Sequence, residues 1–244
     1  MAYYYKSVKK LSLQEEINHN QHLKEIEQKH HLKLVHAMLD AEERERQRIG
    51  RDLHDGLGGM LAGIKMNLSQ QSKTDNRNLD TVINRLDESV KELRHIARNM
   101  MPESLLKIGL EDALHDLCEL LQIEDTRIEF QPINIDKNLP LAMQMHIYRI
   151  VQELLNNAIR HAKPSNIILQ CSQHQNIVHI TVEDDGCGFD QELIREKPGI
   201  GFSNIKNRVE YLKGNIDIES AKNEGTSINI EINADAGSDR SGEG

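Results

Sequence analysis

The chain has 244 residues, 38% of them hydrophobic, 3% aromatic with no Trp, and 28% charged. That balance suits two modest domains with much exposed helix surface and excludes one large core. A net charge of −9 excludes a protein that binds nucleic acid by neutralising its backbone. Cys118, Cys171 and Cys187 are scattered and lack metal-ligand spacing, which excludes a disulfide framework and fits a reducing compartment. No apolar run reaches the roughly 20 residues that span a bilayer, so the sequence as it stands is expected to be soluble and cytoplasmic.

Tyr3, Tyr4 and Tyr5 with Lys6, Lys9 and Lys10 read either as a plain helix start or as the flank of a transmembrane helix at its cytoplasmic end. From Leu11 to Leu68 there is no Pro, and no Gly before Gly50. This predicts one long helix, which outruns any globular core and must pair with another. Leu32, Val35, Leu39, Glu42, Arg46, Ile49, Leu53, Gly56 and Met60 recur in alternating steps of three and four, a coiled-coil seam weakened by Glu42 and Arg46. A stutter near His30 separates it from the register of Ile17, Leu23 and Ile26. Below Leu53, the added set Leu57, Leu61, Ile64 and Leu68 widens the stripe to what a four-helix bundle needs. The polar run Gln70–Asn78 reads as a hairpin loop. A second amphipathic helix follows from Leu79 to Met100 and stops at Pro102. Such a hairpin has apolar surface to spare and is expected to dimerise into a four-helix bundle.

Beyond Pro102 the pattern predicts a helix at Leu110–Leu121, a strand at Arg127–Ile133 and a long helix at Leu139–His161. Strands at Ile167–Ser172 and Ile177–Val182, a glycine-rich stretch and a helix at Ile200–Leu212 come next. Strands at Asn215–Ser220 and Ser227–Ile232 complete an α+β sandwich with helices on one sheet face. Ala234–Gly244 reads as a flexible polar tail.

Five short patterns carry chemistry. A lone helical histidine is ordinarily a solvated or packing residue, but His54 is followed by Asp55, a carboxylate able to hold one ring nitrogen as N–H and leave the other nucleophilic. Gly56, Gly58 and Gly59 cost helix stability and serve either to admit a bulky partner or to kink the helix. Glu153 and Asn157 share one helix face, and an Asn carbonyl suits Mg²⁺. Asp184-Asp185-Gly186-Cys187-Gly188 places an acceptor at a strand end, where the backbone can pass close to a flat ring. Gly199-Ile200-Gly201 opens a helix whose amides could face phosphate, and Gly225-Thr226 precedes the last strand. Each pattern is weak alone, and their order and spacing give them force.

His54-Asp55-Gly56-Leu57-Gly58, with Asn157, Asp184-x-Gly186-x-Gly188, Gly199-x-Gly201 and Gly225-Thr226, resembles the sensor histidine kinases of two-component systems. It resembles most their nitrate-sensor and membrane-thermosensor branch. Glu92–Arg98, and Met101-Pro102-Glu103-Ser104-Leu105 through Gly109–Leu114, are similar to that branch's second bundle helix and linker. The resemblance implies a signal-transmitting coil over residues 1–40 and a dimerisation and phosphotransfer domain over 41–107. Residues 108–234 would form the ATP-binding fold shared with gyrase-type ATPases, and 235–244 a tail.

By the same resemblance His54 attacks the γ-phosphate of ATP, with Asp55 as base and orienting group. Asn157 holds Mg²⁺ with Glu153 beside it, Asp184 reads adenine, and Gly186, Gly188, Gly199, Gly201, Gly225 and Thr226 frame the nucleotide and a mobile lid. The implied partners are a second copy of the chain and the receiver domain of a response regulator, and a membrane anchor could precede residue 1. One departure concerns Gly59, which stands where the branch often has a Gln that positions water for phosphatase action. Two rivals are a gyrase-like ATPase that uses Glu153 to activate water, and a nucleotide-binding pseudokinase scaffold. His19, His22, His30, His31 and His36 read as a solvated helix face and not as a metal site.

Overall fold

The computed structural model describes residues 2–71, 77–100, 102–191 and 199–234, with only part of the side chains up to residue 100. The centre of the expected hairpin loop (72–76), most of the expected lid (192–198) and the tail (235–244) lie outside the described residues. The chain divides into two compact units, residues 1–48 and 49–244.

The described residues of the first unit are all helical, part of α1 (Ala2–Arg51). The two charged residues of the predicted seam pair along the helix, with Arg46 Nε 2.9 Å from Glu42 Oε1. Leu34 and Met38, off the seam, are exposed.

In the second unit the helix continues through a wide-turned π-helical segment, Asp52–Gly58, into α2 (Gly59–Gln71). The long helix is thus present, with a change of pitch at the glycine-bearing motif. Helix α3 (Arg77–Met100) returns and packs on both α2 and the π segment. The loop is shorter than the polar run suggested, because Gln70, Gln71, Arg77 and Asn78 are helical. Polarity alone does not break a helix, and straight-chain Gln and Arg favour one. Among the described residues, no helix is long and apolar enough to cross a membrane.

A short helix that the sequence did not suggest, α4 (Glu103–Lys107), follows Pro102. Its Glu103–Lys107 pair closes at 2.7 Å, and its Leu105, 2% exposed, belongs to the hydrophobic core. Then come α5 (Leu110–Leu121), β1 (Arg127–Ile133), α6 (Leu141–Asn157), a π-helical extension at Ala158–Ala162, β2 (Asn166–His174) and β3 (Ile177–Asp184). Helix α7 (Ile200–Tyr211), β4 (Asn215–Ser220) and β5 (Thr226–Asn233) complete the unit. Helix α6 starts at Leu141 and not at Leu139, because Pro140 pushes the residue before it out of helical backbone. Leu139 instead sits in the core and accepts a 2.6 Å bond from Gln144 Nε2.

The sheet order is β1-β2-β3-β5-β4. The pair β1/β2, joined across α6, is parallel, and every other pair is antiparallel. Among the described residues the only strand proline, Pro132, lies in edge strand β1, where a missing donor is tolerated. Alternate residues Ile167, Leu169, Cys171, Val178, Ile180, Val182, Ile230 and Ile232 are buried and meet Ile147, Ile150, Val151, Leu154 and Leu155 of α6 in one core. The other face is polar, with Thr181 Oγ1 donating to Asn229 Oδ1 at 2.8 Å. The expected sandwich with helices on one sheet face is therefore observed. Burial raises the thiols of Cys118 and Cys171 to about 12, so they are inert packing residues.

Candidate functional site

The site is built where α6, the ends of β3 and β5, and the start of α7 converge. They enclose a cavity of about 460 Å³ lined by Asn157, Asp184, Gly188, Gly199, Gly201 and Thr226 with apolar residues between them. Six of the residues singled out in the sequence thus share one wall. Glu153 sits just behind, for a side chain on Gly201 would strike Glu153 Oε1 and come within 3.6 Å of Asn157 Nδ2. Gly201 thus leaves the Glu153 carboxylate its present place, which a side chain there would oblige it to leave.

Asp184 ends β3. One carboxylate oxygen accepts from the Gly186 amide at 2.9 Å, and Thr226 donates to the same group. Thr226 is in turn 3.1 Å from Ser220 Oγ, which donates to Gly225 O and accepts from the Phe189 amide. Burial raises the Asp184 carboxyl above its ordinary value, while the Gly186 and Thr226 bonds oppose the shift. The neighbouring Asp185 has a different task. Its carboxylate accepts from the Ser165 and Asn166 amides at 2.7 and 2.8 Å and from Asn166 Nδ2 at 2.8 Å. These bonds, led by the Asn166 amide, hold it below its ordinary value and tie β3 to the start of β2.

The glycines differ in kind. Gly225 (φ 80°) and Gly188 (φ 54°) adopt left-handed backbone, and a side chain on either would strike a carbonyl oxygen, Asp184 O or Ala221 O. Gly186 lies against Ala162. Gly199 has open space around it and ordinary backbone (φ −63°), so the turn does not require a glycine there.

The sequence reading missed the apolar walls. Val182, Ile228, Leu154 and Ile205 line the cavity with Phe189 and Phe202, and Lys206 Nζ stands 5.1 Å from the Phe202 ring centre. The only signal for them was strand and helix periodicity. It also gave no role to His161, which lines the cavity from the π-helical extension of α6. That position is one turn beyond Asn157. A cavity with apolar walls and one carboxylate at its floor suits a flat heteroaromatic ring with an exocyclic donor. The amide oxygen of Asn157 and the carboxylate of Glu153, both beside Gly201, are hard oxygen donors of the type that fits Mg²⁺ shared with phosphate.

His54 and Asp55 lie in the π-helical segment Asp52–Gly58, the kind of local widening that recurs at functional sites. Their side chains are outside the described residues.

Residues 45–105 match the family model described as histidine kinase. Residues 142–236 match that of the histidine kinase-, DNA gyrase B- and HSP90-like ATPases. Sensor histidine kinase ComP of Bacillus subtilis is 31% identical over 230 residues, 87% of this chain and 30% of the relative. The signal transduction histidine-protein kinase/phosphatase DegS of Brevibacillus brevis is 27% identical over 80% of this chain and 53% of its own. The nitrate/nitrite sensor protein NarX of Escherichia coli K12 is 28% identical over 75% and 32%. The chain thus spans from about a third to about half of the lengths of these relatives.

Proposed function

The chain belongs to the histidine kinase family, and from that premise we propose that it is the kinase part of a sensor that phosphorylates its own His54 from Mg-ATP. The observation that supports this reading most is the meeting of Asn157, Asp184, Gly188, Gly201 and Thr226 on one cavity in a chain whose helical hairpin carries His54. In this reading residues 41–107 are the dimerisation and phosphotransfer domain and 108–234 the ATP-binding domain.

Asp184 accepts a hydrogen bond from the adenine amino group, held for it by Gly186 and Thr226. The apolar walls cover the ring, and Asn157 with Glu153 would hold Mg²⁺. The metal supplies charge neutralisation on the transferring phosphoryl group. One imidazole nitrogen of His54 forms the N–P bond to the γ-phosphorus, the bond from phosphorus to the bridging oxygen breaks, and ADP leaves. Asp55 takes up the charge and the proton at the opposite ring nitrogen. The phosphoryl group then passes to an aspartate of a response regulator. Tyr3–Tyr5 and the lysines after them suit a whole protein attached to a membrane through a preceding segment.

The test is radiolabelling with γ-³²P-ATP. Wild type is expected to retain acid-labile, base-stable label, and His54→Gln to retain none while still binding ATP. Steady release of phosphate without any protein label would favour the gyrase-like ATPase reading. ATP binding with neither label nor release would favour a pseudokinase.

A further inference from the structure

Arg149 stands on α6 one turn ahead of Glu153 and is only 4% exposed. Its Nη2 donates to the Met100 carbonyl at 2.6 Å, its Nη1 donates to Gln152 Oε1 at 2.9 Å, and its guanidinium carbon lies 5.6 Å from the Tyr148 ring centre. Removing a guanidinium from water is costly unless protein groups replace its hydration, so such a residue needs a use that a surface arginine does not.

Met100 is the last residue of α3. The final carbonyls of a helix have no amide partner inside it and carry the negative end of its dipole. Pro102, just beyond, has no N–H to offer. A planar cation with several donors suits that helix end, and here it comes from an element 49 residues away. The connection is tight on the other side as well. Pro102 is buried, and Leu105 of α4 sits in the core of the ATPase-type fold. Little chain therefore separates the end of α3 from the core that holds α6. Helix α3 packs on the π segment that carries His54, so the helix end that Arg149 holds belongs to the element beside that histidine.

We propose that Arg149 is a positioning residue for the phosphorylation of His54. By capping α3 it anchors the nucleotide-binding fold to the helix that packs against the His54 segment, and so sets how bound ATP is presented to the imidazole. The inference rests on the phosphoacceptor reading above. Movement of α3 is delivered directly to α6, where Glu153 and Asn157 follow one and two turns later. The anchor acts on a nucleotide already bound, so its loss lowers kcat and leaves KM for ATP in place.

The experiment uses the whole 244-residue chain carrying Arg149→Gln and, separately, Arg149→Lys. Three measurements are made: affinity for a trinitrophenyl ATP analogue, amide hydrogen exchange, and the initial rate of labelling over a range of ATP. Arg149→Gln is expected to bind the analogue within twofold of wild type and to keep the sheet protected. The last turns of α3 and α4 should exchange at least fivefold faster, and kcat should fall at least fivefold. Arg149→Lys, which keeps a cation able to reach the carbonyl, should recover part of the rate. Should Arg149→Gln lose the fold, Gln152→Leu carries the test, since it releases one arm of the guanidinium and should give the same pattern at smaller size. Unchanged exchange at the end of α3, or a rate that stays level or rises, overturns the proposal. A wild-type chain that binds nucleotide and never labels would overturn the phosphoacceptor reading instead, with exchange at α3 still deciding the anchor.

Discussion

Asp184 and Asp185 are adjacent carboxylates with opposite environments, and the difference predicts opposite responses to pH. Burial raises Asp184. A raised folded value contributes stability that is complete below the unfolded value of 3.8 and is lost as pH rises through the folded one. Near neutrality the ionised group therefore burdens the fold. Asp184→Asn should raise Tm near neutral pH, with the gain disappearing below pH 3.8, while affinity for ATP falls about tenfold or more. A melting series with paired titrations checks both signs. Asp185 is depressed, so its contribution is present above 3.8 and lost as pH falls through the folded value, and Asp185→Asn should flatten the acid limb of the same series. The glycines separate likewise. Gly225→Ala, at φ 80° and against Asp184 O, should lower stability by more than about 1 kcal/mol in urea unfolding. Gly199→Ala, in open space, should stay within about 0.5 kcal/mol.

The element that carries His54, the proposed phosphoacceptor, departs from α-helical pitch over Asp52–Gly58, a local widening of the kind that recurs at functional sites. Gly59 follows immediately. A Cβ built there meets nothing within 4 Å, so the position has room for a side chain to start. Glycine offers no donor or acceptor to a nucleophilic water, and the unaltered chain should therefore be a kinase with weak phosphatase activity. Phosphate release from purified phospho-regulator without ADP should be slow with wild type and faster with Gly59→Gln. Fast release by wild type would point to Asp55 or a group on α3 as the one that positions water.

At the scale of the whole molecule, the hairpin of a single chain exposes Leu57, Met60, Ile64, Met66, Val82 and Ile96. Apolar side chains at this density on two antiparallel helices make a second copy the natural cover. Light scattering should give twice 27.9 kDa at micromolar concentration, and a clean monomer would defeat the four-helix-bundle reading. Arg149 adds a second coupling, within the chain, between that bundle and the ATP-binding fold.

Periodicity by itself determined nearly every element. Leu110–Leu121, Arg127–Ile133 and Asn215–Ser220 begin and end where their patterns do, because burial of one face sets the repeat of apolar residues and turn residues punctuate it. The polar members of the candidate site, from Glu153 to Thr226, could be singled out because a phosphate, an adenine or a metal would call for particular side chains and for backbone without them. What only the tertiary structure decided depends on partners distant in the chain. Asp185 does not differ from Asp184 until Ser165 and Asn166 arrive beside it. The crowding at Gly201 comes from the Glu153 carboxylate, which local spacing does not report. The linker residue Leu105 joins a core whose other members follow it in sequence, and Arg149 acquires its role from a carbonyl 49 residues earlier. Local spacing reports which face of an element is buried, but the identity of what covers that face is set by packing between elements.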